Sequence, residues 1–280
     1  MSRFSTRTAL AAVGALAVVA FGLTACAPPG ESGGAPADAS GDSLGTVKVG
    51  ALATPAGDIL NFVQENLAEE AGLTIEFVEF TDYNTPNTSL AEGSTDANLF
   101  QNSTFLANFN SSTGGELVDA GEIYLPTAAF YSDTVDSLDD LEDGATISIP
   151  NDPTNEGRAL KILAAEGLIE TTDEPTTIAD VTDNPKNFQF VEIENASLPQ
   201  AVADSDAAFV TLAFALPAGL SADEAILVEG ADSDYYNILA TTPELEDDPR
   251  IAKLKELLLS DETKAFIEET WGGLVVPAES

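Results

Sequence analysis

The chain of 280 residues contains no histidine, a single cysteine, and only 10 lysines and arginines against 48 aspartates and glutamates. Without imidazole there is no Ser-His-Asp or Cys-His nucleophile, no histidine-based zinc site and no side chain that ordinarily titrates near neutrality. The lone Cys26 cannot close an internal disulfide. A formal charge of -38 repels phosphate backbones and anionic lipid headgroups, so nucleic acid is excluded as a partner. Positive charge is so thin that no basic residue occurs between Lys48 and Arg158. What is present is apolar mass: 44% hydrophobic residues with 14 Phe, ample for one large or two medium domains. Acid pairs such as Glu69/Glu70, Asp139/Asp140 and Asp247/Asp248 arise by chance among 48 carboxylates, so they lend little support to glycosidase-type catalysis. The stretch "DSDYYN" (Asp232 to Asn237) has calcium-like spacing but lacks the glycine and terminal glutamate of an EF-hand loop.

The opening segment has Arg3 and Arg7, an uncharged apolar run from Ala9 to Phe21, and then small residues. That pattern predicts a signal peptide over residues 1–25; a permanent membrane span usually needs about 20 apolar residues. "LTAC" (Leu23 to Cys26) resembles the lipobox of bacterial lipoproteins, where cleavage precedes a cysteine that then carries lipid. Cleavage there removes two arginines and no acid, taking the charge to -40. Residues 26–45 are rich in Pro, Gly, Ala and Ser and read as a flexible tether, about 25 Å in mean reach. The expected location is the extracytoplasmic face of the cell membrane, with the lipid on Cys26 as the anchor.

From Thr46 onward the pattern is α/β. "TVKVGALA" reads as a buried strand, "DILNFVQENLAEEAG" as a helix with Ile59, Phe62, Val63 and Leu67 on one face, and "LTIEFVEF" as a second, parallel strand. "ATISIP", "EGRALKILAAEG" and "FQFVEI" repeat the β-α-β scheme, and "AAFVTLAFA" and "AILVEG" add apolar runs. "PRIAKLKELLLSDETKAFIEETWG" reads as a closing helix. Two successive α/β units with no Gly/Ser-rich break predict two closely connected domains. Ligands of open α/β sheets sit beyond the carboxyl ends of the strands, and Ile149 ends such a strand. In "IPNDPTNEGRAL" the loop Asn151–Gly157 follows, placing Arg158 in the first helical turn, where a cation opposes the macrodipole and an added anion would relieve it. Two readings stand open for Arg158: it holds a carboxylate that arrives from outside, or it pairs with Glu156, Asp152 or another internal acid. Of the aromatic residues outside helices, Tyr83 in "EFTDYNTPN" and Phe100 in "NLFQNSTFLANF" are the pocket candidates, while Phe105 and Phe109 have the spacing of a helical core stripe.

"VEFTDYNTPN", "DANLFQ", "DGATISIPNDPTNEGRALKIL", "ALPAGL" and "YYNILAT" together resemble the NlpA/MetQ family, the methionine-binding lipoproteins of ABC importers, from Val47 to Trp271. The resemblance implies a periplasmic-binding-protein type II fold, with two α/β lobes (46–124 with 236–280, and 125–235) joined by crossing segments. It implies no catalysis and no cofactor, with free methionine and ABC permease subunits as partners. Carried over by position, Arg158 matches the arginine for the ligand carboxylate, Tyr83, Phe100 and Phe105 surround the thioether, and Asn237 fixes the amino-acid backbone. Asn102 stands where the family often has histidine, and Thr211 and Ala213 stand where it has asparagines. The second of those asparagines is expected to contact ligand. These departures keep another amino acid or a small peptide as an alternative ligand. A surface carboxylate-based hydrolase and an adhesive lipoprotein are the alternatives of other classes.

Overall fold

The computed structural model describes residues 43–230 and 233–279; the expected signal peptide, Cys26 and the tether up to residue 42 lie outside the described residues. The chain opens with β1 (Gly45–Leu52), α1 (Asp58–Val63) and β2 (Leu73–Phe80). β1 and β2 pair in parallel from Gly45 opposite Leu73 to Leu52 opposite Phe80, the β-α-β unit expected. Gly72 reverses the chain before β2 with φ of 71°, a conformation that costs glycine nothing. α2 (Pro86–Ala91), β3 (Ala97–Asn102), α3 (Ser103–Thr113) and β4 (Val118–Pro126) follow.

The second set of elements is β5 (Ala128–Tyr131), β6 (Thr146–Pro150), α4 (Pro153–Ala165), β7 (Glu170–Thr171), β8 (Val181–Asp183), β9 (Gln189–Ile193), α5 (Leu198–Ala201), β10 (Ala207–Thr211), α6 (Leu212–Ala218) and β11 (Ala225–Val228). The chain then returns through β12 (Asn237–Thr241), α7 (Pro249–Leu258), α8 (Asp261–Trp271) and β13 (Val275–Pro277). Two larger mixed sheets result, in orders β13-β4-β12-β3-β1-β2 and β11-β5-β10-β6-β9. The chain passes between them at Pro126–Ala128 and again between Val228 and Asn237.

Each sheet has its own core. Val47, Val49, Ile59, Leu60 and Leu99 pack with Leu254 and Ile267 of the closing helices against the first. Phe130 and Phe209, ring centroids 5.2 Å apart, centre the second together with Ile147, Ile149 and Leu160. A third cluster joins the sheets, setting Leu52 and Phe100 against Tyr131, Leu198, Val210 and Phe214. At about 1.5–3 kcal/mol for each large apolar side chain buried, this third cluster contributes to the packing of the two sheets against each other.

Two elements differ from expectation. The closing helix is two helices, because Ser260 caps α8 through a bond from the Thr263 N–H (3.2 Å) and Leu259 leaves helical geometry. "AAFVTLAFA" is half strand and half helix, changing at Thr211; an apolar run alone does not show such a change.

Candidate functional site

α4 begins earlier than the sequence suggests. Asp152 is its N-cap, accepting the Asn155 N–H at 2.9 Å, and Pro153 fills the first helical position. The carboxylate of Asp152 also accepts from the side chains of Asn155 (3.1 Å) and Asn195 (2.7 Å). Arg158 therefore sits a full turn inside the helix, and the expected first-turn clash with the macrodipole does not arise.

Arg158 is 3% exposed at its side chain and pairs with Glu229, which is 7% exposed. Its Nε donates to Glu229 Oε1 at 2.9 Å, and its Nη2 donates both to Glu229 Oε2 and to the carbonyl of Pro126 at 2.9 Å. Glu229 also accepts from Ser233 Oγ at 2.9 Å and from the Ala128 N–H at 3.2 Å. The Tyr235 ring lies 4.7 Å from the guanidinium carbon, a cation–π contact. Internal pairing is thus real, but with Glu229 rather than Asp152 or Glu156. Only Nη1 is left without a hydrogen bond among the described residues.

Arg158, Tyr83, Phe100, Asn102, Phe105 and Asn237 all line one cavity between the sheets, with Asn155, Thr211 and Ala213 completing its polar and small walls. The register of β12 on β3 sets Asn237 opposite Asn102. Free space is about 20 Å³, room for the centre of one or two waters. Any larger ligand requires the walls to part. Tyr83 packs on Phe100 (5.7 Å between centroids), Phe105 (6.0 Å) and Phe214 (4.8 Å). The Tyr83 hydroxyl is 3.3 Å from Thr211 Oγ1, and burial pushes it up to about 12, so it remains protonated.

Two candidates have structural duties as well. Asn102 Oδ1 accepts the Phe105 N–H at 2.9 Å and caps α3, which angles Phe105 into the cavity. Asn237 Nδ2 donates to the Tyr124 hydroxyl at 3.1 Å. Below them Asn87, Asn98 and Gln101 form a closed, buried amide network that fixes β3 against α2. Among the described residues three side-chain-to-side-chain hydrogen bonds cross between the two sides: Tyr83 to Thr211, Asn84 Nδ2 to Glu194 Oε1 at 3.2 Å, and Asn108 Nδ2 to Thr154 Oγ1 at 2.9 Å.

Sequence reasoning missed Glu229, Asn155, Phe214 and Tyr235. Asn155 could have been found from the Asp-Pro capping pattern before it. Nothing distinguishes Glu229 among 48 acids.

Behind Arg158, Glu156 is 1% exposed and accepts the Ile178 N–H at 2.6 Å. Burial, reinforced by the nearby carboxylates of Glu192 and Asp152, pushes its carboxyl up to about 7. Below the ordinary value of 4.5 it is protonated in both folded and unfolded chains. As pH rises from there to about 7, the unfolded chain ionises first and stability falls, by on the order of 3 kcal/mol at about 1.4 kcal/mol per pH unit. Above that the loss is constant. Glu156→Gln should therefore gain on the wild type through this window. Urea unfolding at a series of pH values reads the difference, and a difference that does not change with pH would contradict the assignment.

The family model for the NlpA lipoprotein matches residues 47–279. The chain belongs to the NlpA lipoprotein family. It is 35% identical over 234 residues to a protein of Salmonella typhi named D-methionine-binding lipoprotein MetQ, covering 81% of this chain and 86% of that one. It is 34% identical over 264 residues to outer membrane lipoprotein 1 of Mannheimia haemolytica, covering 92% and 93%. Among solved structures it resembles a nutrient-binding protein of Burkholderia cenocepacia bound to methionine, with a TM-score of 0.80 and 35% identity over 83% of this chain and 100% of that one. A periplasmic substrate-binding protein of an ABC transporter from Coxiella burnetii gives a TM-score of 0.79 and 34% identity over 83% and 100%. This NlpA-family chain thus has the two-lobed type II fold of periplasmic substrate-binding proteins, and its family consists of substrate-binding proteins rather than enzymes.

Proposed function

We propose that this lipoprotein, anchored through Cys26 on the extracytoplasmic face of the cell membrane, captures free L-methionine and delivers it to the permease of an ABC importer. Residues 46–124 with 236–280 form one lobe and 125–235 the other, and the ligand holds them closed. The observation that carries this reading is the cavity where an aromatic wall faces a buried arginine with one donor group open. The ligand carboxylate takes an oxygen to Arg158 Nη1, not to the bidentate fork, which Glu229 fills. The thioether lies among Tyr83, Phe100 and Phe105, where sulfur–ring contacts contribute about 0.3–1.5 kcal/mol each. Asn155 Oδ1, without a hydrogen bond among the described residues, accepts from the ligand ammonium in place of the asparagine that Ala213 does not supply. Asn84–Glu194 and Asn108–Thr154 are the closing contacts at the rim, and the ligand's preference for the closed state shifts the population toward it.

A small peptide is the second reading. Its support is a cleft of about 430 Å³ at the mouth, which shares Tyr83 and Phe105 with the inner cavity and is lined by Asn108, Phe109 and Thr154.

Thermal unfolding of the chain from Ser43 onward, refolded to strip any bound ligand, tests both against the twenty amino acids, D-methionine and methionine-containing dipeptides. A ligand at about 100 times its Kd stabilises by about 2.7 kcal/mol and raises the midpoint. The expected response is to L-methionine. A response to D-methionine alone, the ligand for which the Salmonella relative is named, retains the site and reverses its handedness. A response to dipeptides alone selects the second reading, and no response to any of these rejects both.

A further inference from the structure

Glu229 is saturated as an acceptor. Each carboxylate oxygen already takes two hydrogen bonds, from Arg158 Nε and Ser233 Oγ on Oε1, and from Arg158 Nη2 and the Ala128 N–H on Oε2. It therefore has no lone pair to offer a ligand ammonium, and its effect on the ligand passes through Arg158. Its partners Ala128 and Ser233, like the Pro126 carbonyl that takes the second Nη2 hydrogen, lie where the chain crosses between the sheets. The pair is thus fixed in place before any ligand arrives. Of the residues lining the inner cavity only Arg158 carries charge, and Glu229 cancels it. The other nearby cation, Lys161, faces the outer side beside Tyr235 and pairs with Glu174 at 2.6 Å.

We infer that Glu229 sets the charge class of ligand the site accepts: by occupying the fork of Arg158 and neutralising it, it makes the cavity fit a net-neutral zwitterion and reject a net anion. The inference rests on the methionine reading of the same cavity. A zwitterion enters a neutral site and leaves it neutral, its carboxylate on Nη1 and its ammonium on neutral acceptors such as Asn155. An anion of the same shape would bury one uncompensated charge, which is costly in a site closed to water. Without Glu229, Arg158 would present a bare positive charge and the order would shift toward anions.

Calorimetry of wild type and Glu229→Gln with methionine and with 2-hydroxy-4-(methylsulfanyl)butanoate reads this directly. The second ligand exchanges the ammonium for a hydroxyl, so it retains the shape and a donor but is a net anion. In the wild type methionine is preferred, and in Glu229→Gln the preference falls by at least about 10-fold, equivalent to about 1.4 kcal/mol. A ratio within about 2-fold of wild type, both affinities dropping together, would show that Glu229 only holds the fold and overturns the inference. If Glu229→Gln does not fold, Glu229→Asp gives the converse arm. It retains the charge with a shorter reach, so the wild-type ratio should persist while both affinities weaken; a 10-fold fall in that ratio overturns the inference. A wild type that binds neither ligand rejects the methionine reading, and the inference with it.

Discussion

Arg158→Ala should destabilise the ligand-free protein by about 3–5 kcal/mol, before any ligand is considered, because it leaves the Glu229 carboxylate buried and unpaired. The resemblance to the family makes Arg158 a ligand residue, and on that ground alone its removal would affect only binding. The ion pair gives it a second, structural role, and the two can be separated. The double variant Arg158→Met with Glu229→Met removes both charges together and should recover most of the lost stability, since apolar replacement of a whole buried pair is often neutral or better. Methionine binding should not recover, because the donor for its carboxylate is gone; the loss expected is about 2–5 kcal/mol, or roughly 30- to several-thousand-fold. Urea unfolding of the two variants beside calorimetry decides it. A double variant as unstable as Arg158→Ala would contradict the pairing argument, and one that binds methionine as wild type does would remove Arg158 from the site.

The second large effect is steric. A Cβ on Gly157 would lie 2.1 Å from the carbonyl oxygen of Pro175 and 3.1 Å from its carbon, both backbone atoms that cannot swing aside. Gly157→Ala must therefore push α4 off the segment that crosses it, at a cost on the order of 3 kcal/mol, the upper end for overpacking. Arg158 is the next residue, so affinity for methionine should fall with stability. Gly144→Ala is the control: it meets nothing within 4 Å but sits at φ of 82°, and should cost only about 1–2 kcal/mol with affinity unchanged. Equal losses in the two variants would show that backbone conformation, not the contact with Pro175, governs position 157.

The elements that the sequence disclosed are those whose periodicity is unambiguous. β1, α1 and β2 alternate or repeat cleanly, so the parallel pair was readable, as were β6 and β9 around α4. α4 starts earlier than its apolar periodicity marks, because Asp152 and Pro153 have the composition of a loop, although a capping acid followed by proline is itself a helix start. Phe214 was hidden in an apolar run that changes from strand to helix without any polar mark. The site shows the same division. Tyr83, Phe100, Asn102, Phe105, Arg158 and Asn237, the residues that the resemblance to the family names, line one cavity. The partner of Arg158 was not readable, because Glu229 reaches it across 71 residues and is chemically like every other acid in the chain. On the proposed reading, that contact leaves the ligand one nitrogen of the arginine, not a fork, and a neutral pair to meet.

A crystal structure of the refolded chain grown with L-methionine tests the central assignment most directly. The expected result is a single methionine between the sheets, one carboxylate oxygen within hydrogen-bond distance of Arg158 Nη1, the Arg158–Glu229 pair intact, and the thioether against Tyr83, Phe100 and Phe105. Methionine found with its carboxylate away from Arg158, or seated only in the outer cleft beside Phe109 and Thr154, would contradict it.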